Sequence, residues 1–341
     1  MTSRELVVRT LNHETVSRVP RDLWISPIVE STRAEEVAEM SVRFPSDLEI
    51  YQVDLSAGKK SAAKTSKQTE WTDLWGCVWQ ESENCAPAEL KHSPLSEAAR
   101  IAAFQPPPEL FDRARFARVN KVCSQSTRFV LARSDVRPFN RFQFLRGAEA
   151  AMMDLARATK RSRDLLNVIH EIACNELRHW NETEVDGVLI ADDWATPEGL
   201  LVAPEMWREI FRPLYREYCK ILHEGDKFAF FHSKGNIRDI FGDLVKMEFD
   251  AINAQLHLMK FDRLVKRYRG QVTFWGGHPD NRLLHEPGTS EEFRQTVLAT
   301  RREMDFGNGG VIAQCQWDSG VRLQTVASFF EQWLAPIPLH A

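Results

Sequence analysis

The stretch of sequence that decides the fold covers residues 187–232. It opens with GVLIADD (187–193), continues through a helical segment over 204–223, and ends with KFAFFH (227–232). Both ends are short apolar runs closed by an acid or a histidine, and such runs are typical of strands that are buried on both faces. Gly225 follows the helical segment, as glycine commonly follows a helix end. The stretch therefore predicts two parallel strands joined by a helix.

The same rhythm extends outward in both directions. Eight strands are predicted, at residues 23–25, 48–54, 129–132, 187–191, 227–231, 249–255, 272–275 and 310–313. Helical segments separate most of them, which predicts an α/β protein with a closed (β/α)8 (TIM) barrel as a single domain over residues 1–341. A doubly wound sheet is the alternative, but it favours a glycine-rich turn after its first strand, and residues 25–33 contain no glycine.

Two additions to the barrel are also predicted. Apolar residues recur at helical spacing over residues 3–14, which indicates an N-terminal helix before the first strand. Trp71, Trp75 and Trp79 recur every four residues, but Gly76 and the β-branched neighbours favour an early β-hairpin insertion over a helix.

Composition excludes several classes of protein. The chain has 341 residues, of which 43% are hydrophobic, and its formal net charge is -4, so we expect a large core and no nucleic-acid partner. No apolar run approaches the roughly 20 residues that cross a bilayer, and residues 1–12 lack a hydrophobic signal core. We therefore expect a cytoplasmic protein without a membrane partner. The six cysteines show no CxxC spacing, so neither a disulfide framework nor a zinc ribbon is predicted.

In a parallel barrel, the active site lies at the carboxyl ends of the strands. The polar and aromatic residues at or just beyond the predicted strand ends are Trp24, Asp54, Asp192, Asp193, Trp194, His232, Lys234, Asn253, Gln255, His278, Gln314, Cys315 and Trp317. We expect most of them to line one pocket that binds a small, flat substrate.

Asp192 and Asp193 form the sharpest pair in this set. Adjacent residues in a strand face opposite ways, so only one of the two carboxylates should point into the barrel mouth. A carboxylate there binds a cation, holds a basic substrate or acts as a base. The competing interpretation is an acid that caps the following turn.

His232 and Lys234 form the second cluster. A histidine after four apolar residues is either a core residue with its hydrogen bonds satisfied, or a metal ligand or proton carrier. A lysine just beyond it would neutralise an anionic substrate or, if desolvated, act as a base or nucleophile. An exposed lysine beside a turn at Gly235 is the equally plain alternative.

Several motifs together resemble the uroporphyrinogen decarboxylase (URO-D) superfamily along nearly the whole chain. They are LNHE (11–14) with RVP (18–20), DLWG (73–76), DDWAT (192–196) with GLL (199–201), FHSKGN (231–236), and FWGG (274–277) with PGT (287–289). The resemblance implies a (β/α)8 barrel. The arginine-rich segment that holds substrate carboxylates in true uroporphyrinogen decarboxylases is replaced here by residues 23–28, LWISPI. The chain is more similar to the corrinoid-linked methyltransferase branch.

That branch holds zinc with a His-x-Cys pair and a later cysteine near the eighth strand. Here the pair reads His232-Ser233-Lys234, so a lysine replaces the cysteine, and Cys315 lies near the later position. The resemblance therefore implies His232, Cys315 and Asp193 as metal ligands, or Glu198 with His232 as a modified site, because carboxylate and imidazole ligands suit zinc. Alternatively Lys234 takes the place of the metal as the local positive charge.

Three functions follow from the resemblance. The first is a methyltransferase-like enzyme that demethylates a small aromatic or methoxylated substrate. In it Asp193, His232 and Lys234 are catalytic, and a thiol or a corrinoid (cobalamin) on a partner protein accepts the methyl group. The second is a metal-free decarboxylase or lyase in which Lys234 holds the carboxylate. The third is a non-catalytic barrel that binds a tetrapyrrole or corrinoid. A homodimer is also expected.

Overall fold

Eight parallel strands form a nearly closed barrel in the computed structural model, which describes residues 1–53, 70–81, 88–277, 281–285 and 291–334. The barrel strands are β1 (Arg21–Ile25), β2 (Leu48–Gln52), β6 (Phe129–Arg133), β7 (Gly187–Ala191), β8 (Phe228–Ser233), β9 (Ala251–Ala254), β10 (Thr273–Gly276) and β11 (Val311–Trp317). A separate antiparallel sheet contains β3 (Glu70–Thr72), β4 (Val78–Gln80) and β5 (Glu89–His92). The predicted barrel is confirmed, and the early hairpin has a third strand.

Helices surround the barrel. They are α1 (Ser3–Leu11), α2 (Pro27–Thr32), α3 (Ala34–Arg43), α4 (Val119–Gln125), α5 (Pro138–Arg146), α6 (Ala148–Arg157), α7 (Lys160–Asn181), α8 (Pro204–Ile210), α9 (Arg212–Glu224), α10 (Arg238–Lys246), α11 (Phe261–Tyr268), α12 (Asn281–His285), α13 (Glu291–Met304) and α14 (Leu323–Leu334). Short 3₁₀ helices cover Ala98–Ala103, Pro108–Phe111, Arg113–Phe116 and Leu256–Leu258. Within the described residues, no helix is long and apolar enough to cross a membrane.

The helix predicted over residues 204–223 is two helices. Pro213 lies in the first turn of α9, where its missing N–H costs no internal hydrogen bond. The chain therefore ends α8 at Ile210 and starts again at Arg212.

The first and last strands of the barrel pair with each other, and the barrel is left open between β1 and β2. β1 pairs with β11 and β2 pairs with β6, whereas the described chain has no ladder between β1 and β2. Asp47 bridges this seam, because its backbone N–H donates to Arg21 O at 2.8 Å and its carboxylate accepts from Arg21 N at 2.8 Å. Arg18 forms an ion pair with the same carboxylate at 2.6 Å.

Two apolar layers result from the alternation of side chains along the strands. The inner layer fills the barrel, and α1 covers its amino-terminal end with Val7 and Leu11. Leu189, Phe230 and Trp275 belong to this inner layer. The outer layer fills the space between strands and helices. Because neighbouring residues alternate between the layers, the layer of each strand residue decides whether it reaches the barrel mouth.

Candidate active site

Asp193, His232 and Lys234 come together at the carboxyl ends of β7 and β8. The Lys234 backbone N–H donates to Asp193 Oδ1 at 2.9 Å, and Lys234 Nζ lies 3.9 Å from Asp193 Oδ2. Both side chains are open to solvent, 64% exposed for Lys234 and 41% for Asp193, so this ion pair contributes little to stability. The exposure leaves both groups accessible to a ligand at the mouth.

His232 sits on a chain of amide hydrogen bonds. Asn253 Nδ2 donates to the backbone oxygen of Trp275 at 2.8 Å and to Gln314 Oε1 at 3.2 Å. Since the amide nitrogen faces two acceptors, Asn253 Oδ1 is the atom that faces His232 Nδ1, at 2.6 Å. Nδ1 must therefore carry the proton, which leaves Nε2 of the neutral ring as its acceptor.

The surroundings keep the His232 ring neutral. Burial lowers its pKa, the negative charge of Asp193 opposes this shift, and the positive charges of Lys234 and Arg133 add to it. At neutral pH the ring is thus a base whose Nε2 has no partner among the described residues. This is the state that a proton acceptor or a metal ligand needs.

Asn253 and Gln314 were predicted to bind substrate, but the structure gives them another place. Both are buried, and their polar groups are used in holding His232. Gln255 is similarly engaged, because its Oε1 accepts the Gly235 backbone N–H at 2.7 Å. These three amides position the loop and the histidine.

A cavity of about 610 Å³ opens at the mouth. Among the described residues that were predicted to line one pocket, only Trp24 lines this cavity, and Asp193, His232 and Lys234 do not. Its wall includes Trp24, Ile50, Leu189 and Gln316, and the Trp24 ring packs edge-on against His232 with the ring centroids 5.2 Å apart. Trp24 was predicted to lie at the site, and in the structure it lines the cavity and contacts the histidine. The wall is mixed, because Asp318, Arg133 and Gln316 line it together with the apolar side chains. The apolar part suits a small flat ligand.

Arg133 is a residue of the cavity that the strand pattern did not single out. It is the last residue of β6, and its guanidinium lines the same cavity. Burial lowers its pKa and so does the nearby Arg137, while Asp193 opposes them. The strand predicted over 129–132 stops one residue before Arg133, so the rule that strand ends form the site did not include this residue.

Asp22 is a second residue that was not predicted. It is fully buried inside the barrel on β1, and its Oδ2 accepts the Trp275 Nε1 hydrogen at 2.9 Å. Burial raises the pKa of Asp22 to about 7, against the hydrogen bond from Trp275. A carboxyl at this value gains and loses its proton near neutral pH. No pattern in the sequence singles out this acid among the polar residues near the first strand.

The prediction that Asp192 binds substrate is wrong. Its carboxylate accepts the backbone N–H groups of Phe139 at 2.9 Å and Asn140 at 2.8 Å, in the first turn of α5, and the Tyr215 hydroxyl at 2.5 Å. Successive side chains of a strand point to opposite faces, so Asp192 faces the helix layer while Asp193 faces the mouth. Asp192 therefore caps the start of α5, an earlier helix, and not the turn that follows β7, which was the competing interpretation.

Trp194 and Trp317 were predicted to bind substrate, but they lie away from the mouth. Both are fully buried in the outer layer. Trp194 stacks on Phe139 with the ring centroids 4.0 Å apart, and Trp317 lies under the Arg33 guanidinium at 5.0 Å. These rings pack helices onto the barrel and do not line the cavity.

Cys315 cannot share a metal ion with His232. It is fully buried in the outer layer, whereas its neighbours Gln314 and Gln316 face the barrel interior and mouth. The prediction of Cys315 as a metal ligand is therefore wrong.

The described residues at the mouth do not fit a catalytic zinc ion. Such sites use three protein ligands. Asp193 and His232 supply two, Glu198 is exposed and bonded to its own turn through Thr196, and Lys234 brings a positive charge. Asp54 and His278, both predicted to bind substrate, lie outside the described residues.

A second cavity, of about 300 Å³, lies at the opposite end of the barrel. His13, Arg269 and Phe306 line it, close to the start of β11. Active sites of parallel barrels lie at the carboxyl ends of the strands, so the mouth beside His232 is the better candidate.

Comparisons with known proteins agree with this architecture. The family model described as uroporphyrinogen decarboxylase (URO-D) matches residues 136–331. Among solved structures, a methyltransferase from Methanosarcina mazei superimposes with a TM-score of 0.67 at 14% sequence identity, covering 98% of this chain and 98% of that chain. At this identity the likeness shows the fold. No curated protein matches the chain.

Proposed function

This chain belongs to the uroporphyrinogen decarboxylase family, and we propose that it is a methyltransferase-like enzyme acting on a small methoxylated aromatic substrate. The observation that carries the proposal is the His232–Asn253 hydrogen bond, which leaves Nε2 of a neutral imidazole as its acceptor, with no hydrogen-bond partner among the described residues. The methyltransferase with the same fold supports the choice of reaction within the family.

The proton balance of methyl transfer suits such a histidine. When a thiol accepts the methyl group, a sulfur–carbon bond forms and the methyl–oxygen bond of the donor breaks. His232 Nε2 takes the thiol proton and returns it to the leaving oxygen, so the ring ends neutral, as it began. The Lys234 ammonium, which lies beside Asp193, pairs with the developing negative charge on that oxygen.

The cavity supports an aromatic substrate that carries an anionic group. Trp24, Ile50 and Leu189 offer apolar walls for a ring, and Arg133 offers a guanidinium that pairs with a carboxylate. Asp318 lines the same cavity, and Asp193 lies near Arg133, so negative charge offsets part of this positive charge.

The methyl acceptor is a thiol or the corrinoid of a partner protein that docks over the mouth. A corrinoid supplies the nucleophile for methyl transfer when it is present, and the part left to this chain is to orient the donor and to deliver a proton to the leaving oxygen. Because the described mouth residues do not fit a three-ligand zinc ion, the proposal assigns no step to zinc there.

The test follows the methyl group of a labelled donor. Purified protein is incubated with 4-methoxybenzoate carrying a CD3 group and with either 2-mercaptoethanol or reduced cobalamin, and methylated acceptor is measured by mass spectrometry. We expect transfer by the wild type and a loss of about a hundredfold or more in His232→Ala, since proton transfer by a positioned side chain contributes roughly that much.

His92→Gln is the matched control, because His92 is exposed on β5 in the small antiparallel sheet. It should transfer methyl groups at the wild-type rate. Full turnover in His232→Ala would remove this histidine from the mechanism. If the wild type releases carbon dioxide and transfers no methyl group, the decarboxylase alternative, which the positive charges of Arg133 and Lys234 favour, replaces the proposal.

A further inference from the structure

A cluster of metal-binding side chains lies outside the barrel, between α7 and α9. His170 and Cys174 are four residues apart on α7 and therefore lie one above the other on the same face of the helix. Glu217 faces them from α9. One ligand atom from each residue lies within 4.8 Å of the other two.

We propose that His170, Cys174 and Glu217 bind a zinc ion that links α7 to α9. This site is separate from the barrel mouth and does not depend on the function proposed for the mouth. Imidazole, thiolate and carboxylate are the ligand types that zinc takes in proteins, and three protein ligands leave a fourth position for water.

The distances between the ligand atoms fit a tetrahedral ion. Zinc bonds of about 2.0 to 2.3 Å place neighbouring ligand atoms of a tetrahedron about 3.4 to 3.6 Å apart. In the structure, His170 Nε2 lies 3.1 Å from Glu217 Oε2 and 3.7 Å from Cys174 Sγ, and the sulfur lies 3.7 Å from Glu217 Oε1. The two contacts of Glu217 are made by different oxygens, and the sulfur lies equally far, 3.7 Å, from His170 Nδ1. The side chains of His170 and Glu217 must therefore rotate for Nε2, the sulfur and one oxygen to surround the ion.

The histidine is held by a further hydrogen bond. Its Nδ1 lies 3.1 Å from the hydroxyl of Tyr218, a fully buried residue of α9. If Nδ1 donates to this oxygen, Nε2 is left free to bind the ion, which is the usual arrangement around metal-binding histidines.

Access and charge suit an ion from solvent. The His170 and Glu217 side chains are 18% and 48% exposed, so an ion reaches the cluster without unfolding. Glu217 and Glu171 add negative charge that attracts a cation. Burial and these same charges raise the pKa of the Cys174 thiol to about 12, against the positive charge of Arg178, so a bound ion has to displace the thiol proton.

Cobalt is a spectroscopic substitute for zinc in a test on the full-length protein. Titration with Co²⁺ should saturate at one equivalent for this site, with a thiolate-to-cobalt absorption band in the near ultraviolet, and Zn²⁺ should abolish the band by displacement. The band should vanish in Cys174→Ser and persist in Cys219→Ser, a substitution of another buried cysteine on α9. It should also persist in His232→Ala, which separates this site from the mouth.

Glu217→Gln removes an exposed ligand without disturbing the core. It should weaken cobalt binding by more than about tenfold, the lower range seen when a hydrogen-bond partner of a metal ligand is lost. Zinc should raise the midpoint of thermal unfolding in the wild type and much less in Glu217→Gln. A band that survives Cys174→Ser, or no band in folded wild type at saturating cobalt, would show that the three residues form only a hydrogen-bonded surface pair with a nearby thiol.

Discussion

At the scale of single residues, neighbours in one strand have unrelated tasks. Asp192 caps α5 from the outer layer, and Asp193 faces the mouth beside Lys234. Cys315 lies in the outer layer while the amides on either side of it face inward. Which residue of a polar pair belongs to the site is therefore set by the side-chain alternation of the strand.

The buried acid Asp22 gives a prediction about stability and pH. Its folded-state pKa of about 7 lies above the ordinary value of 3.8, so its protonation favours the folded state. That contribution is full below about pH 4 and is lost as the pH rises to 7. In Asp22→Asn it is absent, so between pH 5 and pH 8 the variant should gain about 2 to 3 kcal/mol of unfolding free energy relative to the wild type.

Urea unfolding at several pH values measures this difference. Glu39→Gln, a change at an exposed carboxyl on α3, is the control and should follow the wild type at every pH. A constant gap between Asp22→Asn and the wild type across this range would mean that the carboxyl is ionised in the folded protein at all these values.

At the scale of elements, the site depends on contacts between the loops that follow β7 and β8. The Asn236 backbone N–H donates to Thr196 O at 2.9 Å. Gly235 has φ of +77°, and a Cβ there would lie 2.3 Å from Ala195 O. Only glycine allows both the left-handed conformation and this close approach. Lys234 reaches Asp193 because these loops touch.

Gly235→Ala should therefore destabilise the protein and pull Lys234 away from Asp193. The left-handed conformation costs about 1 to 2 kcal/mol in any alanine, and the clash with Ala195 adds about 1 to 3 kcal/mol. Gly270→Ala is the matched control, because Gly270 has φ of +74° and a Cβ at this position would have no atom within 4 Å. Urea unfolding of both variants measures the difference, and equal losses of stability would show that the loop yields to the extra methyl group.

At the scale of the whole molecule, the barrel depends on both ends of the chain. β1 pairs with β11 from Arg21 opposite Ala313 to Ile25 opposite Trp317. The family match starts at residue 136, after β1, β2 and β6, so the matched segment holds only five of the eight barrel strands in the described chain. The cavity also depends on residues before the matched segment, since Trp24, Ile50 and Arg133 line it.

The single-domain organisation over residues 1–341 stays a prediction, and unfolding tests it. The full chain should unfold in one transition, with the same midpoint by circular dichroism and by tryptophan fluorescence. A fragment over 136–341 should show no cooperative transition, because β7 and β11 would each lose a neighbouring strand. Cooperative unfolding of the fragment would contradict a single unit.

By itself the sequence determined the eight barrel strands, the N-terminal helix, the early hairpin, and the group formed by Asp193, His232 and Lys234. Apolar runs and the residues that end them are local features of the sequence. In a parallel barrel all strand ends lie at one rim, so these features predict which residues meet there. Only the tertiary structure decided that Asp192, Trp194, Trp317 and Cys315 face away from the mouth. It alone placed Asp22 inside the barrel and brought His170, Cys174 and Glu217 together. The physical reason is that side-chain direction and contacts between distant helices depend on register and packing, which no local pattern encodes.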